Sequence, residues 1–206
     1  MSNSATVPYQ PKADEIKALR EETAAPMMDC RKALIEAEGD VEKAKSVLRE
    51  RGAAAAEKKA ERTANEGLVS AYIHAGGKIG VLIEVNSETD FVARNPKFAD
   101  LTRDIAMHVA AMSPQYLDRE SVPADVIEGV KAELSAAVPP GKPAEIVAKI
   151  VDGKLNKWYE DHVLLDQPFV KDDSISINEL INTAVGALGE KIRVKRFTKF
   201  ALGENS

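Results

Sequence analysis

The sequence predicts an α+β protein: a small antiparallel sheet covered by helices, preceded by a three-helix segment with a core of its own. Three observations carry this. Apolar residues recur at helical spacing through the first fifty positions. The period then switches to two across residues 68–73 and 79–85. Helical spacing returns until a last alternating run at 192–200, so strands flank helices in an α+β order.

The first eleven residues are polar and proline-containing, and read as disordered. A helix starts near Lys12 with Ile16, Leu19 and Arg20 one turn apart, and ends at Thr23. Ala24-Ala25-Pro26 breaks it, because proline disfavours helix in the residue before it and suits the first turn of a new one. The second helix carries Met27, Met28, Cys30, Leu34 and Ala37 up to Gly39. Asp40 caps a third, with Val41, Ala44, Val47 and Leu48, expected to stop before Gly52. These helices make a domain over 12–52. Residues 53–66, four alanines followed by mixed charge, read as an exposed helical linker to a core domain over 67–206.

In that core, His74-Ala75-Gly76-Gly77-Lys78 has the glycines of a hairpin turn between the first two strands. Ile79, Val81, Ile83 and Val85 share the buried face. Helices follow on Phe98, Leu101, Ile105, His108, Val109 and Met112, then from Val126 to the Pro139-Pro140-Gly141 stop. Two more run from Pro143 through Trp158 and from Ile177 to Gly189.

Composition excludes several functions. The chain has 206 residues, 44% hydrophobic and 30% charged, which suits a folded protein. No apolar run approaches the roughly 20 residues that span a bilayer. The N-terminal sequence has no basic cluster followed by an apolar stretch, and the single Cys30 cannot form an internal disulfide. A cytoplasmic protein with no membrane contact is the expectation. A net charge of −5 and 5% aromatics argue against direct nucleic-acid binding. The basic run Lys191, Arg193, Lys195, Arg196, Lys199 is read as a solvated strand face or a protected edge.

No catalytic constellation stands out. Gly76-Gly77-Lys78 lacks P-loop spacing and leads into a strand. His74, His108 and His162 are far apart and lack cysteine partners, so no metal and no cofactor are expected. His108 falls on the apolar stripe of its helix and reads as a partly buried packing residue, and Cys30 reads as a small core residue. The chain is not expected to be an enzyme. Two places invite function. Two successive methionines, Met27 and Met28, point in different directions, so either can serve the core or a partner. The second place is Ser87-Glu88-Thr89-Asp90-Phe91-Val92, a connection or first irregular turn after the second strand. There Asp90 either caps a turn while Phe91 closes over the sheet, or Phe91 projects as an apolar wedge with Asp90 beside it.

Several stretches resemble translation elongation factor Ts, the exchange factor for elongation factor Tu. They include Leu19-Arg20-Glu21-Glu22-Thr23, Met27-Met28-Asp29-Cys30-Arg31-Lys32-Ala33-Leu34 and Glu84-Val85-Asn86-Ser87-Glu88-Thr89-Asp90-Phe91-Val92-Ala93. Ala106-Met107-His108-Val109-Ala110-Ala111, Lys142-Pro143-Ala144-Glu145-Ile146, Gln167-Pro168-Phe169-Val170 and Arg196-Phe197 follow in the family's order.

The resemblance implies that the three-helix domain is ubiquitin-associated-like. It implies that Ile16, Lys17, Arg20, Met27 and Met28 grip a helix of the partner's nucleotide-binding domain. Thr89, Asp90, Phe91 and Val92 match the segment that enters the partner near its magnesium and phosphate site, and His74 matches a histidine that in some members meets another partner domain. The chain departs from the family where Ala24 and Pro26 replace two glycines and Ser87 replaces a common cysteine. Longer members carry a duplicated core; this chain carries one β-hairpin and one Asp90-Phe91, so it looks like the short form, for which a homodimer through the core is expected. The competing reading is a ubiquitin-associated-like protein-binding adaptor with no exchange activity.

Overall fold

The computed structural model describes residues 9–23 and 25–204. In order, it contains α1 (Ala13–Thr23), α2 (Met27–Glu36), α3 (Val41–Glu57), β1 (Glu66–Ile73), β2 (Ile79–Ser87), α4 (Asp90–Ala93) and α5 (Pro96–Met112). There follow α6 (Ala124–Ala136), α7 (Ala144–His162), β3 (Pro168–Phe169), β4 (Asp172–Ser176), α8 (Ile177–Leu188) and β5 (Arg193–Ala201). The antiparallel sheet has the order β1-β2-β5, with the hairpin's second strand in the centre. The α+β class holds.

The chain divides into two compact units. One takes the chain up to Leu68 with Val85–Leu101 and Glu179–Arg193. The other takes Val69–Glu84, Thr102–Asn178 and the chain from Val194.

In the first unit, α1, α2 and α3 close over Ile16, Leu19, Cys30, Ala33, Leu34, Ala44 and Leu48. Burying each large aliphatic side chain contributes about 1.5–3 kcal/mol. Asp40 caps α3 as expected, accepting a 3.0 Å hydrogen bond from the Lys43 amide. Of the segment expected to be disordered, residues 1–8 lie outside the described residues. Tyr9 is held: it packs on the helical cluster and its hydroxyl donates to Glu15 at 2.8 Å. Gly39, at φ +87°, makes room for it, since a Cβ there would sit 2.6 Å from Tyr9 Cζ.

The third helix differs from expectation. It passes through Gly52 and ends at Glu57, because the alanines at 53–56 extend it, and turns replace the remainder of the expected helical linker. Gly52 is there for space and is no stop signal. A Cβ at Gly52 would lie 3.0 Å from the Asn182 carbonyl oxygen of α8, so the small residue lets two helix backbones approach.

In the second unit the hairpin forms as read. The His74 amide donates to the Ile79 carbonyl at 2.9 Å, and Gly76 and Gly77 adopt positive φ in the turn. Val81 and Ile83 are buried as expected, with Val85 continuing the same face of β2. The pattern missed the two-stranded β3-β4 ribbon, whose Asp172-Asp173-Ser174 segment has no apolar alternation. His108 is fully buried where partial burial was expected. Its Nδ1 accepts from the Val170 amide at 3.2 Å, so Nε2 carries the proton toward Gln167 Oε1, 2.9 Å away. Burial holds its pKa below the ordinary imidazole value. On α7, the Trp158 ring stacks on His162 with centroids 4.4 Å apart.

Candidate functional site

The segment after β2 is built by polar groups that the strand itself does not need. β2 runs two residues beyond the expected loss of alternation, to Asn86 and Ser87, both buried. The Asn86 side chain donates to the Glu66 carbonyl at 3.2 Å and Ser87 Oγ donates to the Thr89 carbonyl at 2.9 Å. The chain then turns into α4, a single helical turn. Its cap is Thr89, not Asp90 as one of the two sequence readings has it: the Thr89 hydroxyl accepts from the Val92 amide at 3.4 Å.

That turn sorts its residues by face. Val92 and Ala93 are buried, whereas Asp90, Phe91 and Arg94 are exposed. Phe91 is 79% exposed, so it does not close over the sheet. Asp90 pairs with Arg94 at 2.9 Å across one turn, a solvent-exposed ion pair. The site therefore presents a bare aromatic ring beside an acid whose partner is loosely held.

Neighbouring backbone amides are bound by a residue to which no sequence pattern points. The Glu190 carboxylate accepts from the Glu88 amide (3.1 Å), the Thr89 amide (3.0 Å) and the Thr89 hydroxyl (2.6 Å). In return, the Lys191 amide donates to Glu88 at 2.6 Å, and Arg62 reaches the same carboxylate at 3.4 Å. The Lys191 amide, with Arg62 adding its charge, holds the Glu88 carboxyl below the usual carboxylate range. Glu190 lies about a hundred positions from Thr89, with no periodicity linking them. Only Gly189, which ends α8 at φ +78°, marks a loop there.

A second set of residues lies on the three-helix cluster. Met27 and Met28 open α2 and are 43% and 58% exposed, so neither serves mainly as core. Lys17 and Arg20 are exposed on α1, with Lys17 facing Glu21 at 3.9 Å. Ile16 is buried at 9% exposure and supports that face from beneath. On the same helix Cys30 is fully buried, and burial raises its thiol pKa. The Thr23 hydroxyl donates to the Leu19 carbonyl within α1 at 2.7 Å and accepts from the Ala25 amide in the corner at 3.4 Å. Ala24, one of the departures from the family pattern, lies outside the described residues. Pro26 starts α2 in an extended conformation, and its carbonyl accepts from the Asp29 and Cys30 amides. His74, in the other unit, is exposed at the hairpin turn with its Nδ1 3.2 Å from the Tyr72 hydroxyl.

Comparison with known proteins decides the family. The family described as Elongation factor TS matches residues 12–204. The chain belongs to the elongation factor Ts family. It is 53% identical over 193 residues to Elongation factor Ts of Koribacter versatilis, covering 93% of this chain and 88% of that protein. Over the same length it is 51% identical to Elongation factor Ts of Caldanaerobacter subterraneus, covering 93% of this chain and 96% of that protein. Identity to Elongation factor Ts of Geotalea uraniireducens is 54%, with 93% and 89% covered. Membership places the chain among translation elongation factors, and both exposed sets of residues fall inside the matched region.

Proposed function

We propose that this protein is the guanine-nucleotide exchange factor for elongation factor Tu. It engages the GDP-bound partner through Lys17, Arg20, Met27 and Met28, with Ile16 supporting that face. It then brings Asp90 and Phe91, presented by Thr89 and Val92, against the partner's magnesium and phosphate site. GDP leaves and GTP can rebind. No covalent bond changes, so the protein is not an enzyme and uses no cofactor.

The observation that carries this is Phe91, a large aromatic side chain left 79% exposed on a held turn. A large aromatic ring held out in water on a fixed turn gains burial free energy when a partner closes over it. Linkage supplies the mechanism. A factor that binds the nucleotide-free partner more tightly than the GDP-bound one weakens GDP binding by the same factor. A helical adaptor without exchange activity would use the methionine face and leave the Phe91 turn without a purpose.

The test is stopped-flow release of fluorescent GDP from elongation factor Tu. Burying a phenylalanine is worth about 1.5–3 kcal/mol, so Phe91→Ala should slow release at saturating factor by about tenfold or more. Its half-saturating concentration should change far less. An unchanged release rate would remove the wedge role.

Two further parts belong to the proposal. His74 is a secondary contact to the partner. The core pairs with a second copy, and the sheet offers the surface: Val69, Ile73, Leu82 and Phe200 are large apolar side chains exposed on its strands. Sedimentation velocity should then show a dimer that Leu82→Asp dissociates. Such a complex works in the cytoplasm, where translation occurs.

A further inference from the structure

The geometry points to Glu190 as a positioning residue for nucleotide release: it holds the turn that carries Phe91 in its working shape. This rests on the exchange-factor reading above and adds a residue to it.

A helical turn of four residues does not hold itself together, because nucleation fixes several dihedrals for a single hydrogen bond. Phe91 adds nothing to its own support, since its ring contacts mostly solvent. What remains are Val92 and Ala93 beneath the turn, the solvent-exposed Asp90–Arg94 pair across it, and the hydrogen bonds at its start. There Glu190 is the common acceptor. One carboxylate oxygen takes both the Glu88 and Thr89 amides, at 3.1 and 3.0 Å, and the other takes the Thr89 hydroxyl at 2.6 Å. Because that hydroxyl proton points to Glu190, the oxygen's lone pairs are free to cap the Val92 amide. A single side chain thus sets the entry to α4 and, through Thr89, its first internal bond.

The arrangement is reciprocal. Glu88 returns an acceptor to the Lys191 amide at 2.6 Å, and the Lys191 ammonium is bonded to the Ala60 carbonyl. Arg62 pairs with Glu88 from the same stretch after α3. Two acidic side chains therefore exchange backbone bonds between the β2–α4 and α8–β5 connections. Charge-assisted bonds of this kind are about twice as strong as neutral ones. A wedge held in place before contact loses less entropy when it binds, and that gain falls on the step in which Phe91 is inserted.

The test uses the full chain with elongation factor Tu. Glu190→Ala should cut GDP release at saturating factor by about tenfold, the loss expected for charge-assisted bonds. Its half-saturating concentration should stay within about twofold of the unmodified protein, because the methionine face is untouched. Glu190→Gln keeps an oxygen for both amides and should restore most of the rate. In a Phe91→Ala background, Glu190→Ala should add less than about twofold, the signature of two residues acting as one.

Amide exchange in the free protein supplies an arm that does not depend on nucleotide release. The Glu88 and Thr89 amides should exchange at least about tenfold faster in Glu190→Ala. Unchanged exchange there overturns the proposal, as does an equal slowing of release in the Phe91→Ala background. If the unmodified protein itself fails to release GDP, the exchange-factor reading falls, while the amide arm still reports on the turn. Should Glu190→Ala not fold, Thr89→Val carries the test by losing protection at Val92 and slowing release; retention of both overturns the proposal.

Discussion

Phe91 and the Met27-Met28 pair are both apolar, both exposed and both in the first turn of a helix, yet their surroundings differ. Phe91 is a rigid ring on a turn fixed by Thr89, Glu88 and Glu190. The methionines are long unbranched chains opening α2, the helix whose Cys30, Ala33 and Leu34 belong to the three-helix core. The difference teaches a division of labour. A held ring suits a task in which direction matters, and soft thioethers suit a surface that must fit a partner helix as it comes.

Emptying the core beneath α1, α2 and α3 should give the largest effect. Leu34 is 1% exposed, and Leu34→Ala should cost about 2–5 kcal/mol, the range for buried leucines. Thermal melts by circular dichroism would show it. If the comparison is right, partner affinity collapses while the Glu88 and Thr89 amides keep their protection. Gly52→Ala asks whether the two regions are mechanically joined. The added methyl meets the Asn182 carbonyl oxygen at 3.0 Å, so about 1–3 kcal/mol of overpacking is expected. Because α8 leads into Glu190, faster amide exchange at Thr89 in this variant would mean that α3 and the Phe91 turn share strain.

Smaller still is the paired Met27→Ala, Met28→Ala change. It should raise the half-saturating concentration about tenfold, with the release rate at saturation and the melting temperature nearly unchanged. A lowered maximal rate would erase the distinction between the two regions. The mildest test is acid. Glu88 has a depressed pKa in the fold, so its contribution to stability is full above the ordinary carboxylate value and is lost as pH falls through the depressed one. The Lys191 amide resonance should shift in that acidic window, and in Glu88→Gln the shift should disappear.

The sequence made much of this fold legible through period alone. Val81, Ile83 and Val85 alternate inward because a strand has no other way to bury them, and the adjacent glycines fix the hairpin. Asp40 announced its cap. Gly52 was read as a stop because glycine has low helix propensity, but the approach of α8, more than a hundred residues away, outweighed that local preference. At the site, Asp90 and Phe91 were visible as residues but their exposure was not, since an apolar ring in a connection can anchor or project. Glu190 was invisible, because hydrogen bonds to backbone amides leave no trace in the pattern of the amides' own side chains.

The lone tryptophan sits on α7 with its ring against His162. Tryptophan emission therefore reports on α7 in the second unit. Phe91→Trp reverses the view: an indole in water at the tip of the turn, its emission moving to the blue when a partner closes over it.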